Sequence, residues 1–205
     1  MHKKVLVSAL LAVGVLSVPV AQAEDGSFMV RARAVYIDFA NSQKGGLDSV
    51  AGKIEADNTL IPEIDLSYFF TKNIAAELVL TYPQEVDIKI AGAKQGTIKA
   101  LPPSLLLQYH FTDLGAFKPY IGAGVNYTFF YNTNNILGGA ASVERNSWGL
   151  AGQVGFDYMF TKNVGLNIDV KYIKMDTDVS VNGLGKIGTL KLNPVTAGVG
   201  VTYRF

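Results

Sequence analysis

Residues 117–130 read FKPYIGAGVNYTFF. Alternate positions from Pro119 give one apolar face: Ile121, Ala123, Val125, Tyr127 and Phe129. The other face is Tyr120, Gly122, Gly124, Asn126 and Thr128, small and polar but uncharged. Strict alternation means a β-strand whose two faces meet different surroundings. A strand facing water usually offers Lys or Glu. Glycines and hydroxyls suit a crowded barrel interior instead, which leaves the apolar face for lipid.

Seven further segments repeat the pattern. They are Phe28–Phe39, Thr59–Phe70, Ile74–Tyr82 (with Val86–Ile90 as an alternative extension), Leu101–Phe111, Ser147–Phe160, Val164–Met175 and Leu190–Phe205. Most exceed the ~9–11 residues that a tilted strand needs to cross a bilayer. Their connections alternate in length. Short links lie at 71–73, 112–116 and 161–163, and the Phe-Thr-Lys-Asn sequence of 70–73 recurs at 160–163. Between them lie polar or Gly-rich stretches at 40–58, 83–100, 131–146 and 176–189, which read as long loops. Short turns on one side and long loops on the other is the layout of bacterial outer-membrane barrels, with the short turns periplasmic. The expectation is an all-β fold: an eight-stranded antiparallel transmembrane β-barrel with long extracellular loops.

Composition agrees. Charged residues are 17% of the 205, below the ~25% usual for soluble proteins, and hydrophobic residues are 49%. The one long apolar run follows Lys3 and Lys4 and ends at Ala21-Gln22-Ala23, so residues 1–23 read as a cleaved signal peptide and 24–205 as the barrel domain. A net charge of +1 without a basic patch gives no sign of nucleic-acid binding, and cysteine is absent. No catalytic group, cofactor motif or metal site emerges. Beyond His2 in the leader the only histidine is His110, too few ligands for a metal.

Charge placement orients each strand. Arg31, Arg33, Glu63, Asp65, Glu77, Asp157, Asp169, Lys171 and Arg204 all fall on the less apolar face. Turning them outward would put each Arg or Lys near the midplane at a cost of about 2–4 kcal/mol. They are therefore expected inside, as a polar plug in the periplasmic half. Above them the inward positions become apolar: Val35, Ile37, Ile61, Val79, Leu106, Phe130, Ile173, Met175 and Leu192. These form either an outward-open cup for a small hydrophobic solute or an ordinary packed core. Aromatic residues at strand ends, Phe69 among them, read as interfacial girdles. Tyr203 and Phe205 read as a C-terminal signal for the barrel-assembly machinery.

The segments LPPSLLLQYHF (101–111), KPYIGAGVNYTFF (118–130), NSWGLAGQVGFDYMF (146–160) and the closing TYRF resemble the outer membrane protein W family along the mature chain. That resemblance implies an eight-stranded barrel in the bacterial outer membrane and passive uptake of small hydrophobic molecules, with lateral exit between strands. Pro102 and Pro103 match the family's LPP motif. Neither can donate a ladder hydrogen bond, so they mark either a lateral gap or a simple bulge. Lys171 departs from the apolar lining expected of the family and raises the plug toward the cup. Two rival functions remain at this stage. One is a non-transporting surface barrel acting through its loops as a receptor; the other is a soluble carrier, against which the terminal Phe205 and the loop asymmetry argue.

Overall fold

The computed structural model describes residues 28–46, 53–90, 92–131 and 139–205. The signal peptide expected at 1–23 lies outside the described residues. In chain order the strands are β1 (Phe28–Asp38), β2 (Ser42–Gly45), β3 (Ile54–Ala56), β4 (Thr59–Phe69), β5 (Ile74–Thr81), β6 (Gln84–Ile90), β7 (Ala93–Leu101) and β8 (Ser104–His110). There follow β9 (Phe117–Tyr131), β10 (Ala141–Val143), β11 (Asn146–Met159), β12 (Val164–Ile173), β13 (Asp176–Val181), β14 (Gly185–Lys191) and β15 (Val195–Arg204). Eight of them, β1, β4, β5, β8, β9, β11, β12 and β15, are the staves of one antiparallel cylinder. β15 pairs with β1, and β9 with β11, so no stave is left with a free edge. Closure supplies every stave with two partners, which hydrocarbon demands.

Alternation along the staves is clean. β12 reads exposed and buried in turn from Val164 to Ile173, and β1 does so from Val30 onward. Leu66, Leu78, Leu107, Ile121, Val154, Ile168 and Val199 all face outward, with Leu107 59% exposed. A continuous apolar belt of this size would be an association hazard in water and is what a bilayer core requires. Aromatic pairs frame it: Phe28 with Tyr68 and Tyr203 with Phe205 at the short-turn end, Tyr127 with Trp148 at the other. The two Phe-Thr-Lys-Asn turns are built alike. Thr71 Oγ1 accepts the N–H groups of Asn73 and Ile74, and Thr161 Oγ1 those of Asn163 and Val164.

The four stretches expected as loops are corrected by the structure. Their described parts are mostly strand. β6 and β7 form one hairpin, β13 and β14 another, and β2, β3 and β10 extend the wall further. The reason is period-two alternation at modest length: Ile98 and Ala100, Val179, and Leu190 turn inward and are buried. Polar outward positions disguised them as loops. The hairpins also carry fixed polar contacts. Asp87 accepts from Lys94 Nζ (2.7 Å) and Thr97 Oγ1 (2.9 Å), and Asp178 accepts from Lys186 Nζ and Thr189 Oγ1. Where β2 meets β3, side chains replace the ladder: Asn41 both donates to and accepts from Ala56, and Gln43 Oε1 accepts from Ile54 N–H.

Two predictions follow from this packing. A Cβ on Gly124 would lie 2.0 Å from the Leu105 carbonyl oxygen, whereas one on Gly152 meets nothing within 4 Å. Gly124→Ala should lower unfolding stability by about 1–3 kcal/mol, with Gly152→Ala nearly neutral, in urea titration of the refolded barrel. The hydrogen bonds from Lys94 and Thr97 hold the Asp87 carboxyl below its ordinary value of 3.8, and those from Lys186 and Thr189 do the same for Asp178. Such depressed carboxylates stabilise the fold above the unfolded pKa and lose that effect as pH falls through the folded one. Amide protection in both hairpins should therefore weaken below about pH 4, the ordinary carboxylate range.

Candidate functional site: a sealed plug, an apolar layer and a break in the wall

Arg31 and Arg33 leave β1 two residues apart and so point into the lumen at successive levels. Arg31 Nη1 meets Glu77 Oε1 at 2.6 Å, and its Nε and Nη2 grip both oxygens of Asp157 at 3.0 and 2.7 Å. Two opposite walls are thereby joined through one guanidinium, which only the planar fork of Arg allows. One level higher, Arg33 Nη2 lies 2.8 Å from Glu63 and 2.7 Å from Asp65, and Nη1 lies 3.4 Å from Asp169. Lys171 Nζ closes the set on Glu63 at 3.2 Å. All of these side chains are buried. The plug expected from the sequence is thus assembled, with Arg204 at its lower edge beside Asp157. Arg204 is half-buried, with its guanidinium 4.4 Å from the Phe69 ring centroid. It lines a periplasmic vestibule of about 310 Å³ with Met29, His110 and Lys118.

Phe69 is a second correction. It is not a girdle residue but points inward, its ring 4.8 Å from that of His110. Two aromatics in succession at 69–70 made the parity ambiguous.

Sequence reasoning missed the neutral members of the plug. Tyr120 is 1% exposed; its hydroxyl donates to Asp169 (3.0 Å) and accepts from Asn167 (3.1 Å), and Arg31 stacks on its ring at 4.6 Å. Asn167 also accepts from Arg33 and donates to Asp157. Gln108, Gln153 and Thr202 complete the layer. Their signal was parity: each shares the inward face of its stave with a charged residue or a glycine, or, for Gln108, with His110.

Above the plug the nine apolar positions are all buried. Val35, Ile37 and Ile61 form one cluster; Val79, Leu106, Phe130, Ile173, Met175 and Leu192 belong to another. The latter continues upward through Ile54, Ile88, Ile98, Val143, Val179 and Leu190 of the added strands. Of the two arrangements open at the sequence level, cup or packed core, the described residues form a packed apolar layer. The added strands supply the side chains that fill it. Among the described residues a cavity of about 40 Å³ lies in it, lined by Ile37, Phe130, Ile173, Met175 and Leu192 and reaching Pro102 and Pro194. It has room for a few waters only.

The wall beside that cavity is incomplete. Pairing of β5 with β8 stops at Val79 opposite Ser104, and pairing of β6 with β7 begins at Gln84 opposite Ala100. Four residues, 80–83, thus face three, 101–103. No backbone hydrogen bond joins these two described segments, and the buried Thr81 hydroxyl has no partner. On its other side Pro102-Pro103 stays in register with β9. There Asn126 Nδ2 lies 3.1 and 3.0 Å from the two proline carbonyls, and Tyr127 N–H donates to Pro103. The prolines therefore mark an extra residue and a broken ladder toward the third stave, while the fifth stave holds them firmly. At the base, Tyr203 and Phe205 are exposed, with Phe205 N–H bonded to the Phe28 carbonyl.

Removing Arg31 would strand Glu77 and Asp157 without water. Arg31→Ala should cost about 3–5 kcal/mol of unfolding stability, the range for breaking a buried pair. Urea titration in bilayers measures it, with exposed Lys72→Ala as the silent control.

Comparison with known proteins matches this architecture to relatives. The sequence profile of the OmpW family matches residues 24–205. An uncharacterized outer-membrane protein of Sinorhizobium fredii is 43% identical over 92% of this chain and 87% of its own. Outer membrane protein W of Escherichia coli is 33% identical over 99% of this chain and all of its own. Among solved structures, the outer membrane protein OprG of Pseudomonas aeruginosa superposes with a TM-score of 0.75 at 31% identity, covering 88% of this chain and 96% of that one.

Proposed function

Since the chain belongs to the OmpW family of outer-membrane barrels, we propose that it passes small hydrophobic molecules inward across the outer membrane without energy input, releasing them sideways into the bilayer. One observation carries this reading: the apolar cavity abuts the unpaired stretch of wall, with Gln84, Ala100 and Pro102 among its lining. The plug favours the same direction. Straight passage would part Arg31 from Glu77 and Asp157, leaving buried charges uncompensated. Sideways passage at 80–83 and 101–103 breaks no backbone hydrogen bond. The cavity beside the gap is mainly apolar and the exterior is lipid, so an apolar solute would meet few polar groups on the way, the Thr81 hydroxyl at the gap among them.

A cavity of about 40 Å³ is far below the ~300 Å³ of an ordinary small-molecule pocket. Entry therefore needs side chains to move, and Met175 and Leu192 are suited to it. Methionine in particular repacks around irregular shapes at low cost. Lys171 stays out of the path because Glu63 holds it in the plug.

Ile173→Asp places an unpaired carboxylate on the lining. Uptake of an apolar dye by cells with equal surface expression should fall about tenfold or more, the equivalent of roughly 1.4 kcal/mol. Unchanged uptake in both Ile173→Asp and Ile61→Asp would refute transport through this layer.

A further inference from the structure

Below the plug the lumen opens a second time. The vestibule there measures about 310 Å³, within the ~300–1,000 Å³ of ordinary small-molecule sites and far above the cavity overhead. It is built at the foot of the staves. Met29 comes from β1, Phe69 from β4, His110 from β8, Lys118 from β9, Met159 from β11 and Arg204 from β15.

One wall is a stack. Arg204 lies over Phe69 at 4.4 Å, Phe69 against His110 at 4.8 Å, His110 against Tyr120 at 5.0 Å, and Arg31 over Tyr120 at 4.6 Å. His110 Nε2 is also tied to Gln108 Oε1 at 2.9 Å. The column sets where the Arg204 guanidinium stands relative to the ionic plug. Its N–H donors lie in the guanidinium plane, a fork that matches a carboxylate. Met29 and Met159 add thioethers, which mould to an irregular apolar body.

The lining is short of acid. Among the described residues Lys118, Lys162 and Arg204 are its cations, and Asp157 is its carboxylate. Asp157 is already committed. Arg31 Nε and Nη2 hold its two oxygens at 3.0 and 2.7 Å, and Asn167 and Thr202 also donate to it. Lys118 shows the effect. It stands opposite Asp157 in the ladder of β9 with β11, yet its Nζ donates to the Thr112 carbonyl. Nearby at the rim, Asp113 is matched by Lys72 at 3.6 Å. A half-buried ammonium answered by a carbonyl, in a cleft with more cations than acids, draws anions inward.

We propose that the periplasmic vestibule binds a small organic anion, a carboxylate on a compact apolar body. Lys118 and Arg204 hold the charge, and Met29, Met159 and Phe69 hold the body. This site does not depend on lateral exit, because the sealed plug separates it from the apolar layer.

Methionine-methyl NMR of the refolded barrel in lipid nanodiscs tests the site. Met29 and Met159 line the vestibule, whereas Met175 lines the upper cavity and serves as the reference. Benzoate is the probe, benzamide its neutral counterpart and inorganic phosphate the bare anion. Benzoate should shift Met29 and Met159 with saturation below ~10 mM and leave Met175 in place. Benzamide and phosphate should each bind about tenfold more weakly. Lys118→Gln and, separately, Arg204→Gln should each weaken benzoate about tenfold, the loss of one charge-assisted hydrogen bond, and leave benzamide unchanged. Gel mobility of the unheated barrel checks that both variants fold. The site is disproved if benzoate does not saturate the two methyls, if all three methyls move alike, if benzamide or phosphate matches benzoate, or if neither substitution weakens it. Glu24 and Asp25 lie a few residues before Met29 and carry the charge of the probe. Benzoate binding that arises only when Glu24→Gln is combined with Asp25→Asn would make the chain's own acids the occupant and overturn an external ligand.

Discussion

A cylinder in hydrocarbon survives only if every backbone N–H and C=O finds a partner within it. That constraint organises the molecule. It forces closure of β15 on β1, it bars proline from the middle of a stave unless something compensates, and it makes each lapse in the ladder informative. Two stretches at the upper rim interrupt a stave, and both carry proline. At one, the Asn126 amide holds the carbonyls on the side facing the fifth stave, and nothing bridges the side facing the third. At the other, backbone bonds from Leu192, Asn193 and Ile173 keep the connection toward the seventh, and Asn193 Oδ1 adds one from Met175 N–H. Side-chain amides repeat the solution between β2 and β3, where Asn41 and Gln43 substitute for absent ladder bonds. Side-chain amides, Asn41, Gln43 and Asn126 among them, thus join the wall at places where strand pairing stops. Such an amide offers the same donor and acceptor as a peptide group.

Much of this could be read from the order of residues. Sidedness follows from a two-residue period and from the cost of an ion in lipid, so the staves, the outward belt and the inward placement of Arg31, Arg33, Asp65 and Asp169 were all legible. Three things were not. The strands above the membrane were hidden because water and partner strands tolerate charge on an outward face, and Asp87 and Lys99 look the same in a loop. Tyr120 was hidden because a hydroxyl says little about its partners until the opposite wall is known. Whether the apolar layer is open or filled depends on side chains from β3, β6, β7, β10, β13 and β14, which come from four separate stretches of chain.

The plug and the apolar layer divide the lumen by opposite physics. Below, specificity comes from ion pairs that lose heavily if one partner leaves. Above, cohesion comes from contacts that any apolar body of similar shape could replace. A solute can therefore exchange with the upper packing at modest cost and cannot do so with the lower. The boundary lies between Lys171 and Ile173, adjacent inward positions on one stave.

The reach of Arg31 has a bearing on how the cylinder finds its correct circumference. Its partners stand on β5 and β11, well away from β1 along the wall in both directions. Sliding one seam by two residues would keep every greasy side chain outside, so the belt alone cannot detect the error. It would, however, displace the guanidinium by about 7 Å from one of its carboxylates, at ~3.3 Å per residue. Miswound cylinders then carry stranded charge at their centre, and the ion network acts as a gauge of register that the hydrophobic surface lacks.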